Sequence, residues 1–374
     1  MSAILILLIM PQSLAAQEQS TSGRLLAVPK LPVSLFQYKL PLPDHLQKQL
    51  PPSASNIDTT ITDAGATLGR VLFYDLKLSK NGLVSCASCH SQNIGFDDPT
   101  RFSIGFEGKI TRRHAMGLAN GLFNRTGRFF WDERAATLEE QVLDPFFDPV
   151  EMGLKEGGLV KKIQQIEYYS PLFRSAFSDG KISSDNIATA LSQFVRSMVS
   201  DKAFYDVERQ KHGDVREDFT GFSKMQNRGK FLFLNPASKG GSGCAQCHEI
   251  DAFVMKNPRN NGLDAKSVSD GGWGEVSGKP TDNGKFRAAS LKNISLRGPY
   301  MHDGRFETLG EVIDHYSSGV KPHVNLDPLL MNTDGTPIRL ELSGEDKLAL
   351  VGFLATLTDQ HFLEAPRFSN PFRH

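Results

Sequence analysis

Two short motifs decide the fold, and they contain all four cysteines of the 374-residue chain. They read Cys86-Ala87-Ser88-Cys89-His90 and Cys244-Ala245-Gln246-Cys247-His248. A C-x-x-C pair alone also occurs in disulfides, redox sites and zinc sites, but a histidine directly after the second cysteine is typical of c-type haem attachment. Two thioethers hold the porphyrin, and the adjacent imidazole binds the iron as its proximal ligand. With no cysteine left over, the motifs predict two covalently bound haems.

The composition is that of an ordinary globular protein. It is 39% hydrophobic and 22% charged, and the 42 basic residues balance the 42 acidic ones. This charge balance indicates neither a nucleic-acid partner nor attraction to a membrane surface. The length allows two domains, each large enough to bury its own core.

The N-terminal residues predict export. Residues 1–17 contain an apolar run followed by small residues, which is typical of a signal peptide and too short to span a bilayer. An uncleaved apolar N-terminus is the alternative. We therefore expect a periplasmic protein with no transmembrane segment. Residues 18–56 are rich in proline and leucine without a sustained period, and we expect an extended arm on the surface.

The chain repeats itself around the two motifs. Residues 69–73 resemble 229–233, and residues 131–142 match 302–313 without a gap. Because both pairs occur in the same order around a haem motif, they indicate a duplicated module. We predict a mainly α fold of two tandem cytochrome c-like haem domains with little strand content. The first domain spans 57–215, and the second spans 216–374 with its tail packing back.

Local patterns predict several of the helices. Apolar spacing favours helices over 64–78, 182–199 and 345–358. Thr137 and Thr308 each precede a glutamate by three residues, which predicts a capped helix start in both repeats. The tail 359–374 is expected to lie across the surface.

The repeat distinguishes the two irons. Tyr316 follows His302 at the same spacing at which Pro145 follows Trp131. If this position faces the iron opposite the proximal histidine, Tyr316 can bind haem 2 as a phenolate, whereas Pro145 leaves haem 1 open. A packed aromatic is the alternative for Tyr316. The other candidate ligands of haem 2 are Met301, His302, His315 and His323.

An open haem that splits peroxide needs a group to move a proton between the two oxygens. Glu151 and Gln141 flank the segment that carries Pro145, so they are candidates for this role. Trp131 is a candidate electron relay between the haems. The alternatives are solvated surface positions for Glu151 and Gln141, and a plain core position for Trp131.

These residues resemble the bacterial di-haem cytochrome c peroxidase and MauG family from about residue 64 to 363. Beyond the haem motifs, the resemblance rests on segments 130–136, 149–152 and 298–304. It implies that haem 1 is the peroxide site and haem 2 the electron-transfer site. It also implies that Trp131 is the inter-haem tryptophan and that Gln141, Pro145 and Glu151 line the distal pocket of haem 1.

Two departures make the chain similar to the MauG-like branch. Classical members carry a histidine that caps haem 1, where this chain has Phe106, and a methionine on haem 2, where it has Tyr316. The family also implies a calcium ion, held here by the carbonyls of Arg297 and Pro299. The third calcium ligand, an asparagine in the family, matches His114, and imidazole is a poor ligand for this cation.

We therefore expect a di-haem oxidoreductase that uses hydrogen peroxide at haem 1. Its electrons would arrive through haem 2 and Trp131 from a small redox donor or a protein substrate. A MauG-like enzyme that oxidises tryptophan in a partner protein is the second hypothesis. The third is a non-catalytic electron carrier, which the residues Pro145 and Phe106 oppose because neither can bind iron.

Overall fold

The computed structural model describes residues 27–51 and 61–373, and over these the protein is mainly helical. The α-helices are α1 Asp44–Gln47, α2 Asp63–Tyr74, α3 Cys86–Cys89, α4 Leu138–Gln141, α5 Asp144–Phe147, α6 Gly158–Gln164, α7 Tyr169–Ala176, α8 Ser184–Arg196, α9 Phe204–Arg209, α10 Lys224–Leu234, α11 Trp273–Ser277, α12 Leu309–Asp314, α13 Gly344–Ala355 and α14 Gln360–Glu364. The strands β1 His248–Glu249 and β2 Val254–Met255 form a small antiparallel sheet, with His248 opposite Met255. The mainly α prediction is confirmed.

Single helical turns connect these elements. The 3-10 turns are Leu76–Leu78, Gln92–Ile94, Gly121–Phe123, Ala237–Lys239, Cys244–Gln246, Pro280–Asp282, Ile294–Leu296, Pro328–Leu330 and Pro366–Phe368. A π-helical turn, His315–Gly319, continues α12.

Two equivalent helix crossings organise the fold. Helix α2 packs on α8, and α10 packs on α13. At the first crossing a Cβ on Gly69 would overlap the carbonyl oxygen of Ala190, and at the second a Cβ on Gly229 would overlap that of Ala349. Only glycine permits so close an approach of the backbones. The repeat seen in the sequence is therefore a repeat of helix packing.

Each helix pair has its own hydrophobic core. The first core contains α2, α7 and α8, and the second contains α9, α10 and α13. The C-terminal segment belongs to the first core, since Phe362 and Phe368 are buried there and the Arg70 Nε donates to the Ser369 carbonyl at 2.6 Å. The tail thus packs back, but its apolar rings lie inside the core and not across the surface.

The sequence predicted an extended N-terminal arm on the surface, but part of this arm is helical and buried. Its described part, residues 27–51, includes α1, and Tyr38 and Leu46 are buried. His45 Nε2 lies 3.1 Å from the Asp206 carboxylate, which also pairs with the buried Lys292. The predicted signal peptide, residues 1–17, lies outside the described residues. No helix in the described ranges is long and apolar enough to cross a membrane.

The predicted helix starts agree closely with the structure. Thr137 and Thr308 accept hydrogen bonds from the backbone N–H of Glu140 and Glu311, at 3.1 and 3.2 Å. The predicted helix over 64–78 is α2 followed by a 3-10 turn, because the Asp75 side chain accepts from the Lys77 N–H and caps a new turn. The predicted helices over 182–199 and 345–358 are α8 and α13, each slightly shorter.

Candidate active site

A cavity of about 460 Å³ lies beside the first haem motif. Cys89 and His90 line it on the side of the motif. The other predicted site residues of the first module also line it, and these are Trp131, Gln141, Pro145 and Glu151. Residues far apart in sequence therefore surround one space.

The hydrogen bonding of His90 leaves its Nε2 free to bind a metal. Its Nδ1 lies 3.0 Å from the Phe96 carbonyl oxygen, so Nδ1 carries the proton and Nε2 has a free lone pair. Histidine ligands usually donate their other nitrogen in this way. Burial lowers the pKa of His90 and keeps the imidazole neutral. The Cys86 and Cys89 thiols are free, and burial raises the pKa of Cys86 to about 12.

Glu151 also lines the first cavity, and backbone contacts hold its segment in place. Its N–H donates to Asp148 Oδ1 at 3.1 Å, and its carbonyl accepts from the Phe106 N–H at 3.0 Å. Burial, with the nearby Asp148 charge, raises the pKa of Glu151 to about 7. A carboxyl group with this pKa can both accept and return a proton near neutral pH.

Phe106 does not line the cavity. Its ring packs on Gly153, where a Cβ would overlap it, and Lys80 Nζ lies 5.1 Å from the ring centroid. The loop that carries Phe106 therefore packs against the segment that carries Glu151, outside the cavity.

A second cavity of about 170 Å³ lies beside the second haem motif. Cys244, Cys247 and His248 line it, and Tyr316 also lines it. Burial and the Arg259 charge lower the pKa of His248 to about 4, so this imidazole is neutral as well. Its Nδ1 is buried without a hydrogen-bond partner in the described part of the chain.

The structure reduces the number of candidate ligands for the iron of haem 2. His315 Nε2 bonds the Asn261 carbonyl at 3.0 Å, and both ring nitrogens of His323 lie 3.1 Å from polar side chains. Neither histidine lines the cavity, whereas Met301, His302 and Tyr316 do.

Tyr316 sits in the π-helical turn after α12, a local irregularity that is frequent at functional sites. Its hydroxyl accepts a hydrogen bond from Asn261 Nδ2 at 3.2 Å, and the same amide lies 3.6 Å from Met301 Sδ. Burial raises the pKa of Tyr316 to about 12, so in the protein alone the phenol keeps its proton.

Trp131 lines both cavities. Its Nε1 donates to the His114 carbonyl at 2.7 Å, which fixes the indole orientation. On the side of the second cavity its ring meets His302 edge-on, with centroids 6.4 Å apart.

Comparison with known proteins identifies the family. Residues 63–214 match the family model of the di-haem cytochrome c peroxidase. The methylamine utilization protein MauG of Methylophilus methylotrophus is 32% identical over 302 residues, covering 80% of this chain and 84% of the relative. The cytochrome c551 peroxidase of Nitrosomonas europaea is 30% identical, covering 67% and 71%. The chain belongs to the di-haem cytochrome c peroxidase and MauG family.

A solved structure extends this similarity over most of the chain. A MauG-like protein associated with microbial copper homeostasis superposes with a TM-score of 0.73 and 32% identity, covering 91% of this chain and 99% of the other. The family consists of oxidoreductases that use two c-type haems. Both cavities fit such a group, because each lies beside a C-x-x-C-H motif whose thiols are free and whose imidazole is neutral.

The position implied for calcium does not fit that ion. His114 Nε2 lies 3.3 Å from Asp97 Oδ1, and Arg297 Nε donates to Asp97 Oδ2 at 2.8 Å. All three side chains are buried. A fixed guanidinium repels a divalent cation, and imidazole is not an oxygen ligand. The Arg297 side chain therefore supplies the positive charge at Asp97, and the imidazole of His114 stands where the family resemblance implies an asparagine oxygen.

Sequence reasoning missed two asparagines that make equivalent contacts, one within each module. Asn120 and Asn293 both have a φ of 62°, and their side-chain oxygens accept from the backbone N–H of Ser200 and Asp359 at 2.7 and 2.8 Å. A longer comparison of the two halves of the sequence would have found these asparagines, because a leucine precedes each of them by two residues. The same comparison matches residues 190–194 with 349–353, the segments that contact the glycines at the two helix crossings. No pattern in the sequence indicates a role for Asn261.

Proposed function

We propose that this protein is a periplasmic di-haem peroxidase that reduces hydrogen peroxide at haem 1 with electrons relayed through haem 2. The observation that carries the proposal is that Trp131 lines both haem-side cavities. One cavity contains a carboxyl group tuned near neutrality, and the other contains a phenol that can complete the coordination of an iron. A reaction site beside an electron store suits the reduction of peroxide, which takes two electrons.

The haem iron, when bound, supplies the site at which peroxide binds and is reduced. The protein residues would then handle protons and access. Glu151 would take the proton from one oxygen of the peroxide and deliver it to the other, departing oxygen. Gln141 offers an amide to the polar substrate, and Pro145 brings no donor atom that competes for the open position.

His90 and His248 would each bind one of the two irons, and Tyr316 would be a second ligand of the iron that His248 binds. Asn261 supports this role for Tyr316, because its amide donates to the oxygen that would face the iron. An anionic phenolate favours ferric over ferrous iron, so the second haem would sit at a low potential.

A second candidate is a MauG-like enzyme that oxidises a tryptophan of a partner protein. Two observations favour it: Phe106, at the position where classical members carry the capping histidine, packs away from the first cavity, and Tyr316 lines the second cavity. Two relatives at 32% and 33% identity are named as methylamine utilization protein MauG.

The test is to add stoichiometric hydrogen peroxide to the diferric di-haem protein, with and without a reduced cytochrome c. A peroxidase oxidises the cytochrome in proportion to the peroxide, and both haem spectra return to their starting state. A protein-modifying enzyme keeps its altered spectra when the cytochrome is present and loses them only on contact with a protein substrate. If peroxide changes neither haem spectrum, the protein is an electron carrier and both proposals are wrong.

A further inference from the structure

Two adjacent tyrosines at the start of α7 share one carboxylate oxygen. The Tyr168 and Tyr169 hydroxyls both donate to Asp75 Oδ2, at 2.6 and 2.7 Å. Their ring centroids are 4.9 Å apart, and Asp75 is 2% exposed. The other oxygen, Oδ1, caps the turn after α2 by accepting from the Lys77 N–H. Capping therefore requires only Oδ1 and does not explain the two phenols on Oδ2.

The pair extends from the first haem attachment site toward solvent. Tyr169 is fully buried in the first core, against which Cys86 also packs. Tyr168 is half-buried, with Lys77 Nζ 4.9 Å from its ring centroid. Burial and the Asp75 charge raise the pKa of Tyr169 well above its usual range, with a smaller contribution from Cys86. Both phenols are therefore protonated in the resting protein.

A protonated phenol loses an electron most easily when its proton leaves at the same time. A carboxylate at hydrogen-bond distance accepts that proton without any movement of heavy atoms. Because the two hydroxyls share one acceptor atom, Asp75 can serve either ring in turn. This arrangement differs from that of an ordinary buried tyrosine, which needs only one partner.

We propose that Tyr169, Tyr168 and Asp75 form a redox site that carries oxidising equivalents from the haem 1 pocket to the surface. The inference rests on the proposed function, because hydrogen peroxide is the oxidant. The route would operate when no reductant arrives through Trp131. It would protect the haem pocket, or oxidise an external one-electron donor at Tyr168.

Each step balances in electrons and protons. Reduction of peroxide leaves two oxidising equivalents in the haem 1 pocket, and the same steps would occur once for each of them. Tyr169 gives one electron to one equivalent, and its phenolic proton moves to Asp75 Oδ2. Tyr168 then gives one electron to the Tyr169 radical. At the same time Asp75 returns its proton to Tyr169 and takes the proton of Tyr168. An external donor finally reduces Tyr168, and Asp75 returns the proton.

The test uses the full di-haem protein containing ring-deuterated tyrosine. Stoichiometric peroxide is added without reductant, and samples are frozen for electron paramagnetic resonance. Parallel samples receive 2-methyl-2-nitrosopropane, and the trapped radical is located by peptide mass spectrometry. We expect a radical signal that narrows on deuteration, with the adduct on Tyr168.

Three variants separate the steps. Tyr169→Phe should lose both the tyrosyl signal and the adduct, and Tyr168→Phe should keep the signal but lose the adduct. Tyr205→Phe is the matched control, since Tyr205 is equally buried and donates to Asp251 at 2.6 Å in the second core. It should change neither readout. Melting curves and the ferric haem spectra verify that each variant is folded.

The outcomes distinguish this inference from the proposed function. If peroxide leaves the wild-type haem spectra unchanged, the proposed function fails first. If the haem spectra respond but no tyrosyl signal forms, or if folded Tyr169→Phe keeps the signal and the Tyr168 adduct, the redox site is wrong while the proposed function stands.

Discussion

The Trp131 indole and the His302 imidazole occupy equivalent positions in the two repeats, and their rings meet edge-on with centroids 6.4 Å apart. The backbones around them are also equivalent, since the preceding residues Phe130 and Met301 both have a positive φ, 70° and 76°. The duplication therefore places one ring from each module at the boundary between the two cavities. Of these two rings, Trp131 lines both cavities, whereas His302 lines the second and stacks on Phe286 with ring centroids 3.7 Å apart.

The Trp131→Phe substitution should separate the two haems functionally. Phenylalanine keeps an apolar ring but is harder to oxidise and loses the hydrogen bond to the His114 carbonyl. We expect the first reaction with peroxide to remain nearly intact while the spectral response of haem 2 slows or disappears. Stopped-flow spectra after mixing with stoichiometric peroxide measure both. Equal slowing of both haems would show a structural role instead.

Glu151→Gln should slow the reaction of haem 1 with peroxide roughly 100- to 10,000-fold, because general acid–base help is typically of that size. Cyanide binding, which does not require cleavage of an O–O bond, should change much less. Glu156→Gln, which changes an exposed glutamate outside the cavity, is the control. A wild-type rate in Glu151→Gln would remove this residue from the mechanism.

The pH dependence of that reaction should follow Glu151. Its pKa is raised to about 7, so its carboxylate, the form that accepts the peroxide proton, predominates only above that pH. The rate should therefore fall as the pH drops through about 7, whereas an unperturbed glutamate would keep it constant down to roughly pH 4–5. Stopped-flow rates across this range provide the measurement. The same inflection in Glu151→Gln would assign it to another group.

Substitutions of Tyr316 should act on haem 2 alone. Tyr316→Phe removes only the hydroxyl that Asn261 bonds, so the fold should persist while the low-spin signal of that haem changes. Tyr316→Met should raise the reduction potential, since a neutral thioether stabilises ferrous iron better than a phenolate does. Electron paramagnetic resonance and potentiometry test these changes. Unchanged spectra in both variants would transfer the role to Met301 or His302.

The protein should retain its structure without calcium. We expect EGTA to leave the melting temperature unchanged and metal analysis to find no bound calcium. Asp97→Asn, by contrast, should destabilise the protein by about 3–5 kcal/mol, because it leaves the buried Arg297 without its charge partner. Glu107→Gln, at an exposed ion pair, is the control and should have little effect. One tightly bound calcium per chain would contradict this interpretation.

Much of the fold followed from contiguous sequence. The haem motifs, the capped helix starts at Thr137 and Thr308, and the repeat around Trp131 and His302 are short-range patterns. Their meaning depends on covalent chemistry or on hydrogen bonds within a single turn. These patterns predicted two c-type haems and a mainly helical duplicated chain, and the resemblance of segments 130–136, 149–152 and 298–304 predicted the family.

The tertiary structure decided what depends on chain crossings. In the folded chain, Trp131 lines both cavities, whereas His315 and His323 do not line the second one. Phe368 is buried in the first core. The tertiary structure also paired Arg297 with Asp97 at the position implied for calcium. The sequence by itself determined where the haems attach, because attachment is local. Which side chains face them depends on packing between distant segments, and that information is not contained in any one stretch of the chain.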